Sequence, residues 1–236
     1  GIRAGGGRSD HVTFRYRADG PLTLDDVTSH ADPGECIALV GPSGSGKSTL
    51  INMLLRFERP LTGAVYFDEK DLNSLDVLAV RRQLGVVTQD NRMLAGSIYE
   101  NIVCGSLATL EDAWRAARAA GFEEDIQQMP MGMHTFISES GGNISGGQRQ
   151  RLLIARALVQ DPRILIFDEA TSALDNRTQA MVMDSLDKLQ VTRIIVAHRL
   201  SAVRHARRIY VIQAVRVVQQ GSFDELMGQE GLFARL

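Results

Sequence analysis

Residues Gly41-Pro42-Ser43-Gly44-Ser45-Gly46-Lys47-Ser48 follow the spacing G-x-x-x-x-G-K-S/T. Glycines in such a loop let backbone N–H groups curl around phosphate oxygens. Lys47 would reach the β- and γ-phosphates, the Ser48 hydroxyl would hold Mg²⁺, and Thr49 would lie against the α-phosphate. The loop by itself specifies a nucleoside triphosphate and no more. It would suit a kinase, a GTPase or a motor, although the sequence contains no N-K-x-D guanine-reading motif.

Two further groups could do chemistry beside that loop. Ile164-Leu165-Ile166-Phe167 runs into Asp168-Glu169. An aspartate at a strand end can hold Mg²⁺, directly or through water. The glutamate beside it points elsewhere and can polarise a water in line with the γ-phosphate. His198 follows the apolar run 193–197 and could sense the γ-phosphate from that strand's end, although a lone histidine is more often structural.

These residues must be held by a scaffold. The runs 12–16, 36–40, 63–67, 84–88, 164–167 and 193–197 read as strands, and 210–218 as a late hairpin. Cys36 to Val40 runs straight into the glycine loop, with a helix expected from Lys47 to Leu55, which is the context the phosphate motif requires. The stretch 97–129 is predicted to be mainly helical, with Leu110, Ala113, Trp114, Ala117 and Ala120 as a core stripe and Gly121 at its end. Ser145 with Gln148 three residues on has capping-box spacing, as do Ser222 and Glu225. Strands alternating with helices imply an α/β fold. The helical middle, 89–160, reads as a lobe inserted into a core of 11–88 and 161–236, after a flexible leader at 1–10.

Ile144-Ser145-Gly146-Gly147-Gln148-Arg149-Gln150-Arg151 resembles the L-S-G-G-Q signature of ATP-binding-cassette (ABC) ATPases. Two glycines at a capped helix start offer N–H groups to an anion, and such a site is complete only when a second molecule supplies the phosphates. The resemblance covers nearly the whole chain, from about Val12 to Leu236. It implies a P-loop NTPase (RecA-like) core with an N-terminal antiparallel β region and an inserted α-helical lobe. It also implies ATP and Mg²⁺ as ligands, and a head-to-tail dimer sandwiching two ATP molecules, each between the phosphate loop of one copy and the signature (Ser145, Gly146, Gly147, Gln148) of the other. By the same resemblance Tyr16 stacks on adenine and Gln89 meets Mg²⁺ or the attacking water. Ser172-Ala173-Leu174-Asp175 crosses the dimer interface, and His198 is the switch histidine.

The pattern is similar to that of exporters. Gly96-Ser97-Ile98-Tyr99-Glu100-Asn101-Ile102 resembles G-S-I-x-E-N-I. Thr135-Phe136-Ile137-Ser138-Glu139-Ser140-Gly141 resembles T-x-V-G-E-x-G, with Ser138 where glycine is usual; in exporters that segment, with Glu139, contacts the intracellular helices of the membrane domain. Within exporters the likeness is to bacterial peptide and bacteriocin exporters, on residues 91–96, 152–157 and 175–179, with lipid and drug exporters much alike. The implied partners are a second cassette and a membrane domain fused upstream, at the cytoplasmic face of a bacterial inner membrane.

Composition agrees. A formal charge of −2 excludes a strongly basic nucleic-acid-binding surface as the default and leaves only local basic patches open, and no apolar run approaches the ~20 residues of a membrane span. Cys36 and Cys104 form no CxxC pair, so neither zinc nor a disulfide framework is expected. Soluble ABC ATPases acting on DNA or ribosomes would carry long coiled-coil inserts or a second cassette, for which 41–145 has no room. A small-molecule kinase would leave the signature, Gln89 and the Ser172 loop unexplained.

Overall fold

The computed structural model describes residues 6–42, 46–55, 59–88, 91–168, 174–197 and 203–236. The first part of the chain forms strands β1 (Gly7–Phe14), β2 (Leu24–Ala31) and β3 (Cys36–Val40), and helix α1 (Lys47–Leu54). Strands β4 (Thr62–Phe67) and β5 (Lys70–Asp71), helix α2 (Val77–Arg82) and strand β6 (Leu84–Thr88) follow. The middle contains β7 (Gly96–Ser97), α3 (Ile98–Val103), α4 (Leu110–Ala119), α5 (Glu123–Gln128), β8 (Phe136–Ile137) and α6 (Gly146–Leu158). Then come β9 (Ile164–Asp168), α7 (Asn176–Lys188), β10 (Thr192–Ala197), β11 (Arg208–Gln213), β12 (Arg216–Gly221), α8 (Phe223–Met227) and α9 (Leu232–Arg235).

A six-stranded sheet in the order β12-β11-β3-β10-β9-β6 forms the centre, parallel except for the edge strand β12. A four-stranded antiparallel sheet, β2-β1-β4-β5, lies beside it. Successive side chains of a strand point to opposite faces, and the two faces of the central sheet are both apolar. Ile37, Leu39, Ile164, Ile166, Ile194 and Val196 pack with α1 and the antiparallel sheet. Their neighbours Ala38, Val40, Leu165, Phe167, Ile195 and Ala197 pack with residues of the middle helices, such as Ile102, Ala117, Phe122 and Leu152. This two-sided burial is why β3, residues 164–167 of β9 and residues 194–197 of β10 read as unbroken apolar runs. It also means that the apolar residues of the helical middle share one cluster with a face of the sheet.

Some expectations need correcting. Gly7 to Asp10, assigned to a flexible leader, belong to β1, paired with β2 and β4 through Gly7↔Ala31 and Gly7↔Phe67. Their polar side chains hide the strand from a pattern search. Ser9 is buried and hydrogen-bonds Ser29 at 2.8 Å, and the Arg8 guanidinium stacks 4.1 Å from the Tyr66 ring centre. At its other end β1 stops at Phe14, leaving Tyr16 outside the strand. Gly121, expected to end a helix, does so after α4 with left-handed backbone at φ 70°, but the stretch 97–129 is also broken at Cys104, at φ 46°. Of its apolar stripe, Ala113, Ala117 and Ala120 are fully buried, but Leu110 is 42% exposed. Both cysteines are free thiols. Burial in β3 pushes Cys36 up to about 11.

Candidate active site

The parallel sheet brings together the strand ends that lead to several of the sequence candidates. Val40 pairs with Ala197, Val196 with Asp168, and Asp168 with Thr88. Four neighbouring strands, β3, β10, β9 and β6, therefore end side by side, and ligands of open α/β sheets bind beyond such carboxyl ends. From these four ends the chain continues into Gly41 and the phosphate loop, His198, Glu169 and Gln89 respectively. Ser43, Gly44, Ser45, Gln89, Glu169 and His198 lie outside the described residues. Asp168, the last residue of β9, is half-buried between its two neighbouring strands.

The start of α1 is built for close approach. Gly46, at its N-cap, has φ 110°, a conformation L side chains rarely adopt. A Cβ there would lie 2.7 Å from the Thr23 carbonyl oxygen and 2.8 Å from Leu24 Cδ2, so only glycine fits. Lys47 is 5% exposed and donates from Nζ to the Gly41 carbonyl at 2.5 Å, spanning the loop. Ser48 is exposed and Thr49 buried. Tyr16 is 56% exposed, meets the Phe14 ring edge-on at 4.9 Å, and its hydroxyl lies 3.3 Å from Thr49 Oγ1. An exposed aromatic face thus stands beside the first turn of α1. A buried ammonium, a glycine that admits no Cβ and a helix N-terminus fit a polyphosphate. Ser48 and Asp168 are oxygen donors of the kind Mg²⁺ takes.

The signature caps α6. Ser145 Oγ accepts the Gln148 backbone N–H at 3.1 Å, and Gln148 Oε1 accepts the Ser145 N–H at 3.0 Å. Ser145 and Gly146 are exposed, Gly147 and Gln148 half-buried. The first N–H groups of a helix have no partner within it, so this end is open to an anion. Asp175 caps α7, its Oδ1 accepting the Thr178 N–H at 2.7 Å. The Thr178 hydrogen bonds hold its carboxyl below the usual range.

Helix α6 also grips the segment after Gln89, a feature that motif spacing did not point to. Arg149 Nη2 donates to the Asn91 carbonyl at 2.5 Å and Arg156 Nη1 to that of Arg92 at 2.9 Å. The fully buried Asn101 accepts the Leu94 N–H at 2.8 Å and donates to the Leu94 and Ser97 carbonyls, each at 3.0 Å. Arg156 Nη2 donates to the same Asn101 oxygen at 3.1 Å. Replacing Asn101 with alanine leaves these buried groups unsatisfied and is expected to cost about 2–4 kcal/mol. Urea unfolding would measure it, and an unmoved midpoint would refute this account of the hub.

The two exporter-like segments meet as strands. Gly96 pairs with Ile137 and Ser97 with Phe136, leaving Phe136 60% exposed. Ser138, where glycine is usual, keeps a negative φ, so the backbone does not require glycine there. Its N–H donates to Asn143 Oδ1 at 3.2 Å, and Asn143 Nδ2 donates to the Phe136 carbonyl at 2.7 Å.

Comparison with known proteins gives the family. Residues 24–172 match the family model described as ABC transporter, so the chain belongs to the ABC transporter family, as an ATP-binding domain. It is 47% identical to the Toxin RTX-III translocation ATP-binding protein of Actinobacillus pleuropneumoniae, over 94% of this chain and 32% of that protein. It is 42% identical to the ATP-dependent lipid A-core flippase of Ralstonia nicotianae, over 97% of this chain and 40% of the flippase. A solved bacterial Atm1-family ABC exporter with ATP bound superposes with a TM-score of 0.90 at 35% identity, covering 99% of this chain and 41% of that one. The chain thus spans between about a third and two-fifths of these proteins' lengths.

Proposed function

We propose that the chain is the ATP-hydrolysing motor of an exporter and works as a head-to-tail pair around two ATP molecules. The observation that carries this reading is the alignment of four adjacent strand ends, each leading into one of the candidate residues, with an open, capped signature helix elsewhere on the same chain. In each site Gly41, Ser43, Gly44, Ser45 and Gly46 supply backbone around the phosphates, and Lys47 binds the β- and γ-phosphoryl oxygens. Thr49 lies against the α-phosphate and Tyr16 against adenine. Ser48, Gln89 and Asp168 hold Mg²⁺, which supplies charge neutralisation on the phosphate oxygens when bound. Glu169 takes a proton from the attacking water as its oxygen bonds to the γ-phosphorus and the bond to ADP breaks. His198 contacts the γ-phosphate. Ser145, Gly146, Gly147, Gln148 and Asp175 of the other copy close the sandwich.

The lobe at 89–160 would move against the core, with α6 pulling on the 91–94 segment as ATP is gripped and released. Among the described residues no helix is long and apolar enough to cross a membrane. The exposed Phe136 and Leu94 beside the paired segments suit a membrane domain of the same polypeptide, at the cytoplasmic face of a bacterial inner membrane. For cargo, a peptide, bacteriocin-like, is the reading we favour, supported by the toxin-translocation relative. The comparable identity to a lipid flippase makes lipid export the second reading. Stimulation of the full transporter's ATPase by peptide, against lipid, separates the two.

The sandwich predicts that hydrolysis rises more steeply than linearly with protein concentration, because each site needs two copies. Initial rates over a range of chain concentration at saturating Mg-ATP test this. A strictly linear rate law removes the two-copy mechanism.

A further inference from the structure

Helix α5 places a carboxylate behind the signature. Asp125 accepts hydrogen bonds from Arg151 Nη1 at 2.9 Å and Arg151 Nη2 at 3.1 Å, one on each oxygen. It accepts a third from Gln148 Nε2 at 3.0 Å. The other end of that Gln148 amide, Oε1, accepts the Ser145 N–H. Arg151 is fastened in turn. Its Nη1 donates to the Gly121 carbonyl at 2.9 Å, its Nε to the Gly147 carbonyl at 3.3 Å, and its guanidinium lies 5.5 Å from the centre of the Phe122 ring. Phe122 is fully buried.

A carboxylate only accepts hydrogen bonds and a backbone N–H only donates. Between Asp125 and the Ser145 N–H, the Gln148 amide therefore has one orientation that satisfies both ends. With the carboxylate gone, only the Ser145 N–H still selects that orientation, the Gln148 Nε2 end loses its Asp125 acceptor, and Arg151 loses its counter-ion beside the signature. Partial burial works against the Asp125 charge, but the hydrogen bonds from Arg151 and Gln148 outweigh it and hold the carboxyl below its usual range.

We propose that Asp125 is a positioning residue for the signature: by orienting Gln148 and neutralising Arg151 it sets the capped end of α6 in the form that receives the ATP of a second copy. The inference rests on the head-to-tail reading above. Asp125 belongs to α5, and among the described residues its hydrogen bonds go to Arg151 and Gln148 and none to the phosphate loop, so its effect is expected on the encounter between copies.

The test compares the chain with Asp125→Ala and Asp125→Glu. One measurement is binding of a fluorescent ATP analogue to dilute protein, and the other is the protein concentration giving half-maximal hydrolysis. Asp125→Ala is expected to leave ATP affinity within about twofold and to raise the half-maximal concentration about tenfold, the size of one lost charge-assisted hydrogen bond. Asp125→Glu, which keeps the acceptor, should recover most of the difference. An unchanged concentration dependence in Asp125→Ala, or an equal loss of ATP binding and of pairing, overturns the proposal. Should Asp125→Ala fail to fold, the unaltered chain decides by NMR. A Gln148 side-chain amide that is slow to exchange with water supports the proposal, and a rapidly exchanging one overturns it. A linear rate law for the unaltered chain overturns the two-copy reading and this inference together. A superlinear law with an indifferent Asp125→Ala overturns this inference alone.

Discussion

Lys47→Ala is expected to lose tight ATP binding while keeping its fold. The ammonium is almost wholly enclosed and rests on the Gly41 carbonyl, so on the phosphate-loop assignment it stands where an arriving polyphosphate would need positive charge. Charge-assisted hydrogen bonds in such a water-poor setting exceed neutral ones about twofold. Losing those to two phosphoryl groups should cost about 3–4 kcal/mol, or roughly a hundredfold or more in affinity. The fold should suffer less. The Gly41 carbonyl loses a partner, a cost of about 1–2 kcal/mol, while removing a buried cation relieves a desolvation penalty of its own. Isothermal titration with ATP and a thermal melt of the same samples separate the two effects. Affinity within about twofold of the unaltered chain would refute the phosphate-loop assignment.

The second large effect is on turnover. Glu169→Gln keeps the side chain's size and removes its basicity. If Glu169 takes the proton of the attacking water, hydrolysis should fall about 10²–10⁴-fold, the usual contribution of a positioned general base. ATP binding should survive, because Lys47, Gly46 and the α1 terminus are untouched. The variant should then accumulate as an ATP-bound pair of chains, visible as a doubled mass by light scattering when Mg-ATP is present and not in its absence. Unaltered turnover would remove Glu169 from the catalytic role. Lost hydrolysis without a change in mass would leave the chemistry standing and remove the sandwich.

Much of this could be read from local pattern. Cys36–Val40 and Leu84–Thr88 were legible as strands because both the run of apolar residues and its punctuation lie within a few positions. The Ser145–Gln148 cap was legible because both partners are on one helical turn. The first residues of β1 were not, since Arg8, Ser9 and Asp10 look like loop and are fixed by backbone pairing to strands far along the chain. The Asn101–Arg156 hub and the Asp125–Arg151 pair were equally hidden. Their partners lie 55 and 26 positions apart, and no spacing rule connects them.

The sequence by itself therefore determined the family and pointed to the chemistry. The phosphate loop, the acid pair that begins with the last residue of β9 and the signature are short, contiguous and set by what a phosphate, a metal ion and a helix end require of neighbouring residues. Only the tertiary structure decided how these pieces stand together. The order β3-β10-β9-β6 lines up four strand ends that are separated along the chain, and side chains from α5 and α6 reach across the middle to hold both the signature and the segment after Gln89. Such contacts depend on sheet order and helix packing, which arise from burying two apolar faces of one sheet at once, a property of the whole chain that no short stretch of it records.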